Sequence, residues 1–202
     1  MTEKKSRYKN RWLLKEWTEV IESFGSTSEI TKGKARARAK NVHGLNISLG
    51  RIEAKFRESG QADFQVCIEI DPFTSNQWEV ILDVLVANAI FAIKLLAGEM
   101  PEEIVGILEE KNIDLFPRYR KGLKIICSCN SQDELCKHAE ALFYAFRSKL
   151  EEEPLLLFKL KGMDKDELNK ALRRKRSLLA KANMASVENT HQNVDYTLSL
   201  SL

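Results

Sequence analysis

Apolar residues recur along this chain with two different periods, and the switches between them lay out its elements. Over residues 11–24, Trp12, Trp17, Ile21 and Phe24 return at helical spacing, which predicts one buried helix face and not a base-stacking platform. Gly25-Ser26-Thr27-Ser28 ends that helix. The period then shortens to two: segments 42–49, 51–58 and 62–71 read as an antiparallel meander with Gly50 and Gly60 at its turns. In the third strand Phe64, Val66, Ile68 and Ile70 share one face, and Gln65, Cys67 and Glu69 the other, so Cys67 reads as a small buried residue. Helical patterning resumes over 74–97 and again from Pro101 to about residue 111, where Pro101 suits a first helical position and Glu102 and Glu103 its positive end. A short strand (124–129) and a helix (136–150, with Leu142, Phe143 and Phe146 apolar) follow. Segment 164–182 is again helical, and the polar stretch 183–202 reads as a mobile tail.

One run departs from both patterns. Residues 32–40 alternate cations with small residues, and if they form a strand, Lys34, Arg36, Arg38 and Lys40 line one face and Ala35, Ala37 and Ala39 the other. Such a ladder has two uses: phosphate contact, or a charged edge that prevents strand-to-strand aggregation. The charge of the whole chain is uneven in the same sense. Up to residue 57 there are fourteen Lys or Arg against six acids, and after it eighteen against twenty-three. A second basic run, Arg173-Arg174-Lys175-Arg176, falls in the later turns of a helix whose first turn holds Asp164, Asp166 and Glu167, an order that also suits the helix dipole; it reads as a solvated helix end, with a docking site for nucleic acid or an acidic partner as the alternative.

With 202 residues and 44% apolar content, the chain has the length of one sizeable soluble domain or two small ones. No apolar run follows the opening Met1-Thr2-Glu3-Lys4-Lys5, so no secretory leader is expected. The longest apolar stretch, 78–97, is interrupted by Glu79, Asp83, Asn88 and Lys94, which predicts a buried helix and no membrane span. A reducing, cytoplasmic location follows as the expectation.

Three of the four cysteines and one of the three histidines fall within twelve residues, as Cys127-x-Cys129-x6-Cys136-x-His138. Four soft or borderline donors complete a tetrahedral zinc site and leave no position for water or substrate, so the predicted Zn2+ is structural, one per chain. Residues two apart in a strand point to one face, which lets Cys127 and Cys129 present both sulfurs to one ion. Residues 130–135 supply a turn, and Cys136 and His138 lie at the first turn of the next helix. Three thiolates and one imidazole around zinc carry a net charge of about −1, which a helix N-terminus favours. A disulfide would leave one cysteine unpaired and His138 unused.

These ligands carry a resemblance. Cys-x-Cys, a short gap and Cys-x-His resemble the ligand signature of the SWIM zinc-finger family. Members also resemble this chain in an early tryptophan-containing segment (Arg11-Trp12 and Trp17), in a meander such as Val42-His43-Gly44-Leu45-Asn46-Ile47 and Ile52-Glu53-Ala54-Lys55-Phe56, in Gly98-Glu99-Met100-Pro101-Glu102-Glu103-Ile104, and in the acidic-Pro-Leu-Leu-Leu-Phe segment 153–158. The resemblance covers roughly residues 8–176. It implies a DNA-binding or protein-interaction module, of the prokaryotic type considered alongside Snf-type helicase-like ATPases.

The expected architecture is therefore α+β: an antiparallel β-meander packed with helices, a small zinc-binding strand-turn-helix finger and a helical C-terminus. The expected divisions are an N-terminal scaffold with its basic strand (1–112), the finger (113–153), a helical segment (154–182) and the tail (183–202). No internal repeat or long linker occurs, so the finger is expected to dock on the scaffold. The chain has no phosphate loop, no Gly-x-Gly-x-x-Gly, no Gly-x-Ser-x-Gly, no His-Glu-x-x-His and no zinc-deaminase signature. His43 and His191 lack a triad pattern, and Asp133 and Glu134 read as a solvated pair in a turn. The expectation is a non-catalytic, nucleic-acid-associated adaptor, with DNA the expected nucleic acid, accessory to a helicase-like ATPase, with neither a membrane nor a small-molecule substrate as partner. The alternative is a pure protein-interaction module without nucleic-acid affinity.

Overall fold

The structure, a computed structural model, describes residues 10–38, 41–58, 62–118, 121–129, 131 and 135–199, with the side chains of 183 and 185–199 excepted. Lys40, Gly60, Asp133, Glu134 and the opening Met1-Thr2-Glu3-Lys4-Lys5 lie outside the described residues. The protein is α+β, built on a four-stranded antiparallel sheet. In chain order its elements are α1 (Arg11–Glu22), α2 (Thr27–Arg38), β1 (Val42–Ser48), β2 (Arg51–Phe56), β3 (Phe64–Ile70), α3 (Ser75–Ala87), α4 (Ala89–Leu96), α5 (Glu103–Glu109), β4 (Leu123–Cys127), α6 (Lys137–Glu152), α7 (Leu156–Leu160) and α8 (Lys165–Ser199).

The sheet order is β1-β2-β3-β4. Strand alternation decides its faces: Ile52, Ala54 and Phe56 of β2 and Val66, Ile68 and Ile70 of β3 are buried, while Lys55 and Gln65 are exposed. Register between β1 and β2 shifts between His43 and Asn46, where Gly44 takes φ +60°, a conformation open to glycine. β4 arrives after three intervening helices and pairs with β3 from Val66↔Cys127 to Ile70↔Leu123. The strand is thus part of the same sheet as the meander, and it ends at Cys127, so Cys129 stands in the turn just beyond it and not in the strand expected over 124–129.

α6 fills the space between that sheet and the amino-terminal helices, and it is buried on most of its circumference, from His138 to Phe143 and at Phe146 and Leu150. Trp17 of α1 packs on Phe143 and Phe146, with centroids 6.0 and 4.8 Å away, and its Nε1 donates to the Phe143 carbonyl. Asn10 is buried and clasps the loop before α5: it donates to the Gly98 carbonyl and accepts from the Met100 amide. Trp12 Nε1 donates to the Met100 carbonyl, so the tryptophan segment and the Gly-x-Met-Pro segment meet here.

Three further expectations change. The helix predicted over 74–97 is two helices, because Asn88 accepts from the Ile90 amide and so caps α4 just where it ends α3. α8 starts at the Asp164 cap and its backbone runs to Ser199, through the stretch read as a tail. The third change is the basic run: residues 32–38 form no strand but the second half of α2. Alanine, lysine and arginine are all good helix formers, and the run lacks the β-branched and aromatic residues that favour a strand. Its alternation therefore reflected composition and not pleat. No described helix is long and apolar enough to cross a membrane.

Candidate metal centre and its basic flank

Cys127 ends β4, and Ser128 continues the contact with β3: its amide donates to the Gln65 carbonyl and its hydroxyl accepts from the Gln65 amide. This pins the chain between Cys127 and Cys129. Cys136 is the residue before α6, and His138 sits in the first turn of that helix. The four ligand atoms all lie within 4.8 Å of one another, and Cys127 Sγ is 3.7 Å from His138 Nδ1. Zinc bonds of about 2.3 Å to sulfur and 2.0–2.1 Å to nitrogen imply ligand-to-ligand edges of roughly 3.5–3.8 Å, so the observed donors fit with a small contraction. Cys127, Cys129, Cys136 and His138 form a group that can hold a metal ion. Cys67, on the opposite face of β3, is not part of it.

The thiols are tied to one another. A hydrogen bond between Cys127 and Cys136, together with burial, pushes Cys127 up, and the same bond pulls Cys136 down. A thiolate poised in this way favours capture of a divalent cation. His138 is 1% exposed and bracketed by aromatic rings: Phe64 stacks on it at 4.5 Å and Phe56 lies 5.6 Å away. These rings fix the imidazole plane before any metal arrives.

Two acidic residues complete the site, and sequence reasoning missed both. Glu58, just past β2, lies 3.2 Å from His138 Nε2. With Nδ1 facing the sulfurs, Nε2 carries the proton and donates it to Glu58, the familiar carboxylate–histidine orientation of metal sites. Glu58 also accepts from Arg36 Nε at 2.8 Å and pairs with Lys137 Nζ at 3.1 Å. Those bonds, Arg36 first, hold its carboxyl down at about 2. Glu29 of α2 accepts from the Lys137 amide at 2.8 Å and so satisfies one of the free amides at the start of α6. No local spacing marks these partners; a carboxylate at the end of a strand was the one available signal.

Of the four predicted phosphate ligands, Lys34, Arg36 and Arg38 fall on described residues, and the helix divides them. On a helix, residues four apart share a face and residues two apart do not. Lys34 and Arg38 therefore face away from Arg36, which is committed to Glu58. Lys34 pairs with Glu22 at 2.6 Å and lies 5.5 Å from the centre of the Tyr144 ring. Arg38 is exposed and makes no ion pair among the described residues. In the second basic run, Lys175 is taken up by Glu79 and Asp83 of α3.

Where α2 crosses α6, Gly33 is in contact with the backbone of the partner helix: an added Cβ would lie 2.3 Å from Glu140 Cβ and 3.1 Å from the Ala141 nitrogen. Glu140 itself is fully buried, and neither carboxylate oxygen has a hydrogen-bond partner among the described residues. Burial, with Glu22 next, pushes its carboxyl up to about 7.

No family model matches the chain. No solved structure matches it. The chain is similar to the uncharacterized protein Rv2102 of Mycobacterium tuberculosis, at 30% identity over 157 residues, a match that covers 78% of this chain. It spans 57% of that relative's length.

Proposed function

We propose that this chain is a zinc-stabilised, non-catalytic, nucleic-acid-associated adaptor of the SWIM zinc-finger type, cytoplasmic and accessory to a helicase-like ATPase. The observation that carries the reading is the join between metal centre and basic helix: Glu58 reaches the metal-facing histidine with one oxygen and Arg36 of α2 with the same carboxylate. Four protein donors close a zinc coordination sphere, so the ion acts as a strut and not as a Lewis acid for substrate. Bound there, it fixes β4 against the start of α6, and α6 in turn sets the position of α2. Lys34 and Arg38 then stand at a fixed place for a phosphate backbone.

A second reading, the protein-interaction module without nucleic-acid affinity, draws support from α4, where Ile90 and Ile93 are 62% and 64% exposed one turn apart. The two readings separate in one titration. Zinc-loaded protein is added to labelled single- and double-stranded DNA over a salt series. Submicromolar binding that falls steeply with salt supports the adaptor; no binding at low salt defeats it and leaves the interaction module, for which nuclease-resistant co-purification with an ATPase is the expected result.

A further inference from the structure

Arg147, which the sequence pattern left unmarked, projects from α6 into a notch between α1, α2 and α6. The notch has a volume of about 350 Å³ and is lined by Lys34 and Arg38 of α2, Tyr144, Arg147 and Ser148 of α6, and Thr18 of α1. Three cations converge on one concavity, and the hydroxyls beside them already donate within the protein, Thr18 to the Leu14 carbonyl, Ser148 to the Tyr144 carbonyl and Tyr144 to Glu22. Two acids stand behind the cations: Glu22, occupied by Lys34 and by the Tyr144 hydroxyl, and the buried Glu140 of α6.

Two guanidiniums here make no ion pair among the described residues, although Glu22 acts on Arg147 at longer range. Arg38 has none among the described residues, and Arg147 donates from Nε to the Thr18 hydroxyl at 2.8 Å, with no ion pair. That bond holds the Arg147 guanidinium in place at the edge of the notch. A fixed guanidinium fork without a carboxylate is suited to phosphate, whose oxygens accept two parallel N–H bonds. The notch also continues. A second groove shares Thr18 and Arg147 and runs along α1 past Lys15, which pairs with Glu19 at 3.5 Å, to Arg11, with Glu102 also in its lining. From Arg11 to Thr18 the helix rises about 10 Å at 1.5 Å per residue. That is roughly three phosphate steps of one DNA strand at 3.4 Å each.

We infer that the notch formed by Lys34, Arg38 and Arg147 is the subsite for a backbone phosphate of a nucleic-acid strand, and that the strand continues along α1 toward Arg11. The inference rests on the nucleic-acid reading above and places its contact on a composite surface of three helices, in place of a ladder along one segment. Arg36 has no part in it, since its guanidinium is turned to Glu58.

The test is fluorescence anisotropy with labelled DNA, in phosphate-free buffer over a salt series, using the full zinc-loaded chain. The variants are Arg38→Glu, Arg38→Glu combined with Arg147→Met, and the charge-matched control Lys170→Glu on α8. Arg38 is exposed and makes no ion pair among the described residues, so the single variant is expected to fold as the parent does. The single variant is expected to bind several-fold more weakly and the double variant about tenfold or more, with a log–log salt slope shallower by about 1 to 2. The control keeps parental affinity and slope. Parental binding with unchanged slope in both notch variants, or an equal loss in the control, overturns the notch and leaves the adaptor standing. No binding by the parent at low salt overturns both.

Discussion

Glu58 makes three charge-assisted contacts at once, with Arg36, Lys137 and the Nε2 of His138. The imidazole is therefore oriented from outside the ligand set, and the carboxylate raises its basicity toward a metal. Glu58→Gln keeps the shape but weakens the pull on Nε2–H, and zinc affinity should fall about 10- to 100-fold in competition with a chromophoric chelator. Unchanged affinity would remove Glu58 from the site. A second residue-scale prediction concerns Lys161, which is buried against the Phe73 ring with its ammonium 5.0 Å from the ring centre. Burial pulls its pKa down, against the smaller opposing effect of Asp114 and Asp71. In the folded state it thus gives up its proton at lower pH than in the unfolded chain, where the value is about 10.4. The unfolded state binds more protons in the window between the two, so this residue's contribution to stability rises with pH across it. Subtracting the stability of Lys161→Met from that of the parent, by denaturant melts from pH 7 to 10, should show that rise; a flat difference would contradict it.

At the scale of elements, the critical contact is the crossing of α2 and α6, where Gly33 leaves no room for a methyl group. Gly33→Ala gains helix propensity of about 1 kcal/mol but meets the Glu140 Cβ and the Ala141 backbone, and overpacking of that kind costs roughly 1–3 kcal/mol. A net loss of stability in a denaturant melt is expected; a more stable variant would mean that the helices part easily here. The same crossing explains what was and was not legible in the sequence. The four ligands were readable because they lie within twelve residues, and both strand and helix periods are local. Glu58 was not, because it meets His138 across 80 positions through the pairing of β2, β3 and β4. The run 32–38 was misread as a strand because alternation of Lys or Arg with Ala has the period of a pleat and the composition of a helix. The break at Asn88 turned on one side-chain cap inside an otherwise continuous apolar pattern.

For the whole molecule, the metal centre stands where three parts of the chain meet: β4 in the sheet, α6 in the core, and α2 on the basic flank through Glu29 and Arg36. Metal and fold are then coupled, because donors brought together only in the folded state turn binding energy into folding energy. The most direct measurement is metal content and thermal melting of the purified full chain, before and after strong chelation, alongside Cys129→Ser. One zinc per chain is expected in the parent, with its loss in the variant and a large drop in melting temperature on chelation that added zinc reverses. A folded parent without metal, melting at the same temperature with and without chelator and with Cys129→Ser indistinguishable from it, would contradict the account.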